Sequence, residues 1–109
     1  MINVTIFKDS SNQYKAFSML GHAEYAEHGS DIICASVSVL GINTINAIEK
    51  FTDDVITVNI DDNSGLLTLS FDNTVSSESK LLVDTMILGL EDIVESYGDT
   101  YIKISYKEV

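Results

Sequence analysis

The sequence predicts an α+β domain, with two helices packed on a largely antiparallel sheet in the order β-β-loop-α-β-β-α-β. Three observations lead there. Alternating apolar stretches come in pairs separated by turn clusters, at 2–8 with 13–20 and at 55–60 with 66–71. Two longer stretches, 30–51 and 76–97, carry apolar residues at helical spacing. A final alternating stretch, 101–106, closes the pattern. Paired hairpins favour antiparallel neighbours, and each helix must bury its apolar stripe against another layer.

Taken in order, Ile2, Val4 and Ile6 alternate with polar residues and predict a strand over 2–8. Asp9-Ser10-Ser11-Asn12 is a turn cluster. Residues 13–20 resume as the hairpin partner, with helix as the weaker option. A Gly-bounded polar loop follows over 21–30, where Gly21 and Gly29 are candidate hinges. The first helix is expected to start at Ser30 or Asp31, either a good N-cap, and to run to about Phe51. Ile33, Val37, Leu40, Thr44 and Ile48 form its core-facing stripe. Beside them runs a second row, Cys34, Ser38, Gly41 and Ile45. Most of that row is small, so something can approach the helix closely there.

Residues 55–60 and 66–71 are strands around the turn Asp61-Asp62-Asn63-Ser64-Gly65, where Gly65 can supply a positive φ. Ser76-Ser77-Glu78 offers an N-cap for the second helix. Leu82, Met86, Leu90, Ile93 and Tyr97 are its apolar positions, and Gly98 is a plausible residue just past its end. Tyr101–Tyr106 is the last strand. The chain contains no proline, so glycines and polar clusters must mark its turns.

At 109 residues the chain is read as one domain, 1–109. A chain of this size buries roughly 65% of its unfolded surface, enough for one core. Net charge is −11, from 17 acidic and 6 basic residues. That argues against direct nucleic-acid binding, which needs clustered Lys and Arg, and permits a basic protein partner. A single cysteine cannot form an intrachain disulfide, so the fold needs no oxidising compartment. The first twenty or so residues lack a signal-peptide pattern. The segment 32–48 is free of charge but a little short for a membrane span and interrupted by polar and small residues. A cytoplasmic protein that engages no membrane is the expectation.

Chemistry is sought in Gly21–Ser38, which holds the only cysteine and both histidines. Near the start of a helix, unsatisfied N–H groups and the positive end of the dipole favour a thiolate at Cys34. A nearby imidazolium would favour it further. Cys34 is equally readable as a small buried hydrophobe beside Ile32 and Ile33, and position alone favours that inert reading. His22 is the better candidate base, because it abuts a strand end and follows Gly21; His28 sits in mid-loop. Asp31 can cap the helix or orient an imidazole, and both roles stay open. Ser38 lies one turn beyond Cys34, where its hydroxyl can serve the nucleophile, the base or a substrate, or bond the backbone. His22, His28, Asp31 and Cys34 could in number make a zinc site, but their spacing matches no zinc motif, so neither metal nor other cofactor is expected.

Gly21-His22-Ala23, then Gly29-x-Asp31-Ile32-Ile33-Cys34-Ala35, then Ser38, resembles the signature of the ribosomal-processing cysteine proteases of Firmicutes and relatives, the Prp family. The resemblance covers the whole chain. It implies Cys34 as nucleophile, His22 as general base, Asp31 as the motif aspartate and Ser38 as the helix serine, with His28 outside the pattern. It also implies a homodimer that removes a short N-terminal extension from a large-subunit ribosomal protein, cutting after an aromatic-rich segment. The 21–29 loop is then expected to close over substrate, and amides at the helix start, including that of Cys34, to form an oxyanion hole. A different reading of the same acidity is a non-catalytic assembly factor that binds a basic ribosomal protein.

Overall fold

A computed structural model describes residues 1–22 and 28–109; within it, the side chains of 28–31 are not described. The elements are β1 (Ile2–Lys8), β2 (Tyr14–Leu20), α1 (His28–Phe51), β3 (Ile56–Asp61), β4 (Leu66–Phe71), α2 (Ser77–Tyr97) and β5 (Ile102–Glu108). They follow the expected order.

The five strands form one sheet in the order β3-β4-β2-β1-β5. Each neighbouring pair is antiparallel except β1 with β5, which is parallel. β1 and β5 are the first and last strands, and the chain reaches β5 from β4 through the long α2. The register lines up apolar residues across the sheet. Val58 pairs with Leu69, Leu69 with Phe17, and Phe17 with Ile6. The next row runs Ile60, Leu67, Met19, Val4 and Ile104. These rows face the helices, and Val4, Ile6, Phe17, Leu69 and Ile102 are buried. The alternate residues Thr5, Ser18, Thr68 and Asn59 share the opposite face in register.

The turns have local causes. At the β1–β2 turn the Asp9 carboxylate accepts from the amides of Ser11 (2.9 Å) and Gln13 (3.0 Å), and Asn12 takes a left-handed φ of 64°. At the β3–β4 turn Asp61 Oδ1 accepts from the Asn63 amide at 3.0 Å. Helix α2 begins at an N-cap, Ser76, whose hydroxyl accepts from the Ser79 amide at 3.1 Å, and ends at Gly98, φ 84°.

Helix α1 buries Ile33, Val37, Thr44 and Ile48, so the expected stripe faces the core, with Leu40 half-buried at its margin. The second row is split. Its lower half, Gly41 and Ile45, is buried, and a Cβ at Gly41 would sit 2.7 Å from Met19 Sδ and 3.2 Å from Leu67 Cδ2. What approaches the helix closely at Gly41 is therefore the sheet. Only the Cys34 and Ser38 end of that row stays open. Residues 32–51 are long and apolar enough for a membrane span by length and composition alone. Their inner stripe is spent on this core. At Gly89 a Cβ would lie 3.0 Å from Leu40 Cδ2, so glycine allows α2 to lie close against α1.

The end of α1 is tied to the start of α2 through Asp54. Its carboxylate accepts from the Ser76 amide (3.0 Å) and hydroxyl (2.7 Å). Burial pushes this carboxyl up, but hydrogen bonds from Ser79 and Ser76 outweigh it, so Asp54 titrates below its ordinary 3.8. A depressed folded value means the stabilisation is complete above 3.8 and is lost as pH falls through the lower folded value. Ser76→Ala, which removes the cap and one Asp54 partner, is expected to cost about 1–2 kcal/mol at neutral pH. Asp54→Ala is expected to flatten the acid limb of melting temperature against pH. An unchanged acid limb in that variant would place the acid sensitivity elsewhere.

At the other end of the sheet, Tyr14 donates to Asp84, which also accepts from Lys80 at 2.7 Å. Burial, and then the bond to Asp84, push the Tyr14 hydroxyl far up. Lys8 lies over the rings of Tyr14 (5.0 Å) and Tyr106 (5.6 Å). These partners satisfy one another and fasten β1, β2 and β5 to α2.

Candidate active site

A cavity of about 150 Å³ opens where β2 ends, β3 turns into β4 and α1 passes overhead. Cys34, His22, Ser38 and Gly21 all line it. Two separate elements bring the reactive types together. His22 follows directly on β2 and Gly21, whereas Cys34 is carried by α1. Ile2, Met19, Val37, Ile42 and Leu67 form apolar walls. Ile60, at the sheet edge, is 55% exposed and lines the same opening.

The corner at Gly21 is pinned. Its amide donates to the Gly65 carbonyl at 3.2 Å, its φ is 104°, and a Cβ there would meet Met1 O at 2.6 Å. The Met1 amino group donates to the His22 carbonyl at 2.8 Å. The backbone on either side of His22's ring is thus held from β1 and from the β3–β4 turn. Gly21 provides a close approach that a glycine fits.

Helix α1 starts at His28, two residues before the expected N-cap. Gly29, Ser30 and Asp31 therefore have helical backbone. Gly29 is not a hinge outside the helix, and Asp31 falls in the first turn, not before it. A carboxylate in that turn still complements the positive end of the dipole. The orienting role considered for the Asp31 side chain, and the position of the His28 ring, lie outside the described residues. So does the loop segment 23–27.

The earlier start has a chemical consequence. Cys34 falls in the second turn of α1, beyond the first four amides that a helix leaves without an internal partner. The dipole contribution also fades within the first turn, and His22 is the imidazole that shares the cavity with Cys34.

Cys34 is half-buried and packs against the core. Its surroundings are apolar on one side and open to the cavity on the other. Ser38 is exposed at the rim. Ser36, by contrast, is spent on a bond to the Ile32 carbonyl at 2.8 Å.

Asp61, Asp62, Gly65 and Leu66 also line the cavity, and the sequence marked the first three only as a turn and Leu66 only as the start of a strand. Their signal was present as the Gly65 that ends an acidic turn. Nothing local in the sequence connects that turn to His22, more than forty positions earlier.

Comparison with known proteins places this arrangement. The family model described as cysteine protease Prp matches residues 1–103. The ribosomal processing cysteine protease Prp of Staphylococcus aureus is 34% identical over 107 residues, covering 98% of this chain and 100% of its own length. The Bacillus subtilis protein of the same name is 31% identical over 103 residues, covering 91% of this chain and 92% of its own. A crystal structure of the S. aureus protease in complex with a substrate peptide superposes with a TM-score of 0.89 at 32% identity, covering 98% of this chain and 100% of that one. A second, with a covalently linked product peptide, gives 0.87 at 34% identity and the same coverage.

Proposed function

The chain belongs to the Prp family of cysteine proteases, and on that premise we propose that it is a cysteine endopeptidase that removes the N-terminal extension of a large-subunit ribosomal protein. Cys34 is the nucleophile and His22 the general base and acid. The observation that carries this reading is the convergence of the only cysteine and a backbone-pinned histidine, from different elements, on one apolar cavity. The covalently linked product peptide in the S. aureus relative supports a covalent intermediate here.

His22 takes the thiol proton, and Cys34 Sγ attacks the scissile carbonyl carbon. The tetrahedral adduct collapses as His22 returns the proton to the leaving amine, which breaks the C–N bond and leaves a thioester. Water, deprotonated by His22, attacks the thioester. A carboxylate product leaves and the thiol is restored, for a net consumption of one water. The apolar walls suit an aromatic side chain beside the cut. The charge of −11 favours encounter with a basic ribosomal client. Such a client places the activity in the cytoplasm.

The working form is a homodimer, as the family resemblance implies. Ile32, Val39, Leu81 and Leu88, exposed on the two helices, supply apolar surface that a second copy would cover. The test is to incubate size-fractionated protein with the extended ribosomal precursor and to weigh the products by mass spectrometry. Release of one N-terminal peptide, cut after its aromatic segment and by fractions of dimer mass, is the expected result. A precursor left intact would leave the non-catalytic binding reading in possession, and cutting confined to monomer fractions would refute the dimer.

A further inference from the structure

We propose that Gly65, in the β3–β4 turn, is a positioning residue that backs the imidazole of His22. The proposal rests on the reading of His22 as the base. Gly65 has a φ of 68°, in the left-handed region. A Cβ at this position would lie 2.9 Å from both Cε1 and Nε2 of His22 and 2.6 Å from the Gly21 carbonyl oxygen. All are closer than any real Cβ contact. The backbone angle therefore favours glycine, the Gly21 carbonyl demands it, and the His22 ring lies in the space a Cβ would take.

The Gly65 carbonyl also accepts from the Gly21 amide at 3.2 Å, so the residue that holds the corner before His22 also lies beside Cε1 and Nε2 of its ring. His22 is otherwise exposed. An exposed imidazole samples several rotamers, and a proton-transfer group needs one. The turn narrows that choice on the side away from solvent. It is supplied by residues remote in sequence from the dyad, which is why no motif around Cys34 reports it.

The variants Gly65→Ala and Gly65→Asn separate the two demands. Asparagine accepts a left-handed φ but still carries a Cβ. Both variants are expected to lower kcat on a peptide spanning the ribosomal extension by ~10–100-fold. KM should change little, and the acid limb of the pH–rate profile should move. Asn63→Ala lies in the same turn, but its side chain does not line the cavity; this variant should keep parent kinetics. In the unaltered protein, a proton NOE between His22 Hε1 and Gly65 Hα should be present. Parent kcat and pH profile in Gly65→Asn would overturn the proposal, as would an equal loss in Asn63→Ala or the absence of the NOE. The NOE decides the matter even if both Gly65 variants fail to fold. A parent protein that does not cut the peptide would refute the protease reading instead, and the NOE would still report the contact.

Discussion

Cys34→Ala is expected to lower cleavage of the extended ribosomal precursor by at least ~10³-fold, because no other group in the cavity can form the thioester. The fold should survive. Cys34 is half-buried at the rim of the core, and losing its sulfur costs about 0.5–1 kcal/mol, or about 5 °C or less in melting temperature. His22→Gln should lower kcat by ~10²–10⁴-fold. With the two residues acting as the proposed unit, the double variant should be little worse than Cys34→Ala alone. Rates and melts measured on the same preparations check this. A Cys34→Ala protein that still cuts, with intact circular dichroism, would remove the nucleophile assignment. A double variant whose losses multiply would show that the two side chains work separately.

The second large effect is on stability. Phe17 sits in the middle of β2, the central strand, and is 1% exposed. Ile6 flanks it on one side of the row and Leu69 on the other. Phe17→Ala is therefore expected to cost about 3–5 kcal/mol in urea unfolding, a large part of the ~5–15 kcal/mol that a domain of this kind possesses. The melting temperature should fall by roughly 15–20 °C. Because β2 runs directly into Gly21 and His22, activity should disappear with the fold on warming, at a lower temperature than in the parent. A cost under about 1 kcal/mol would mean that α1 settles into the gap, and a core that soft could not hold the corner at Gly21.

Most of the elements were legible from the chain alone. Strand and helix positions followed from periodicity, and the hairpin turns from Asp9–Asn12 and Asp61–Gly65. The α2 cap at Ser76 and the stop at Gly98 appeared where local chemistry placed them. The start of α1 was less legible, because Ser30 and Asp31 are good caps wherever they stand and the structure carries the helix past them to His28. That shift moved Cys34 from the first turn of α1 into the second. The row of small residues was read correctly as a place of close approach. Half of it is filled by Met19 and Leu67, which no helical wheel could name.

What the sequence determined by itself about this protein was the set of reactive types and their spacing. The Gly21-His22 corner, the Gly29–Ala35 run and Ser38 were enough to identify the family, because a motif is a local arrangement of residues. Only the tertiary structure decided that β5 would pair parallel to β1, that β4 would lie beside β2, and that the Gly65 turn would therefore come to rest against His22. Strand order is set by which apolar faces pack together across the whole chain, and nothing local encodes it. His22 and Cys34 stand at opposite ends of a short segment, and the fold brings both to one cavity, with Gly65, forty-three positions beyond His22, beside the imidazole.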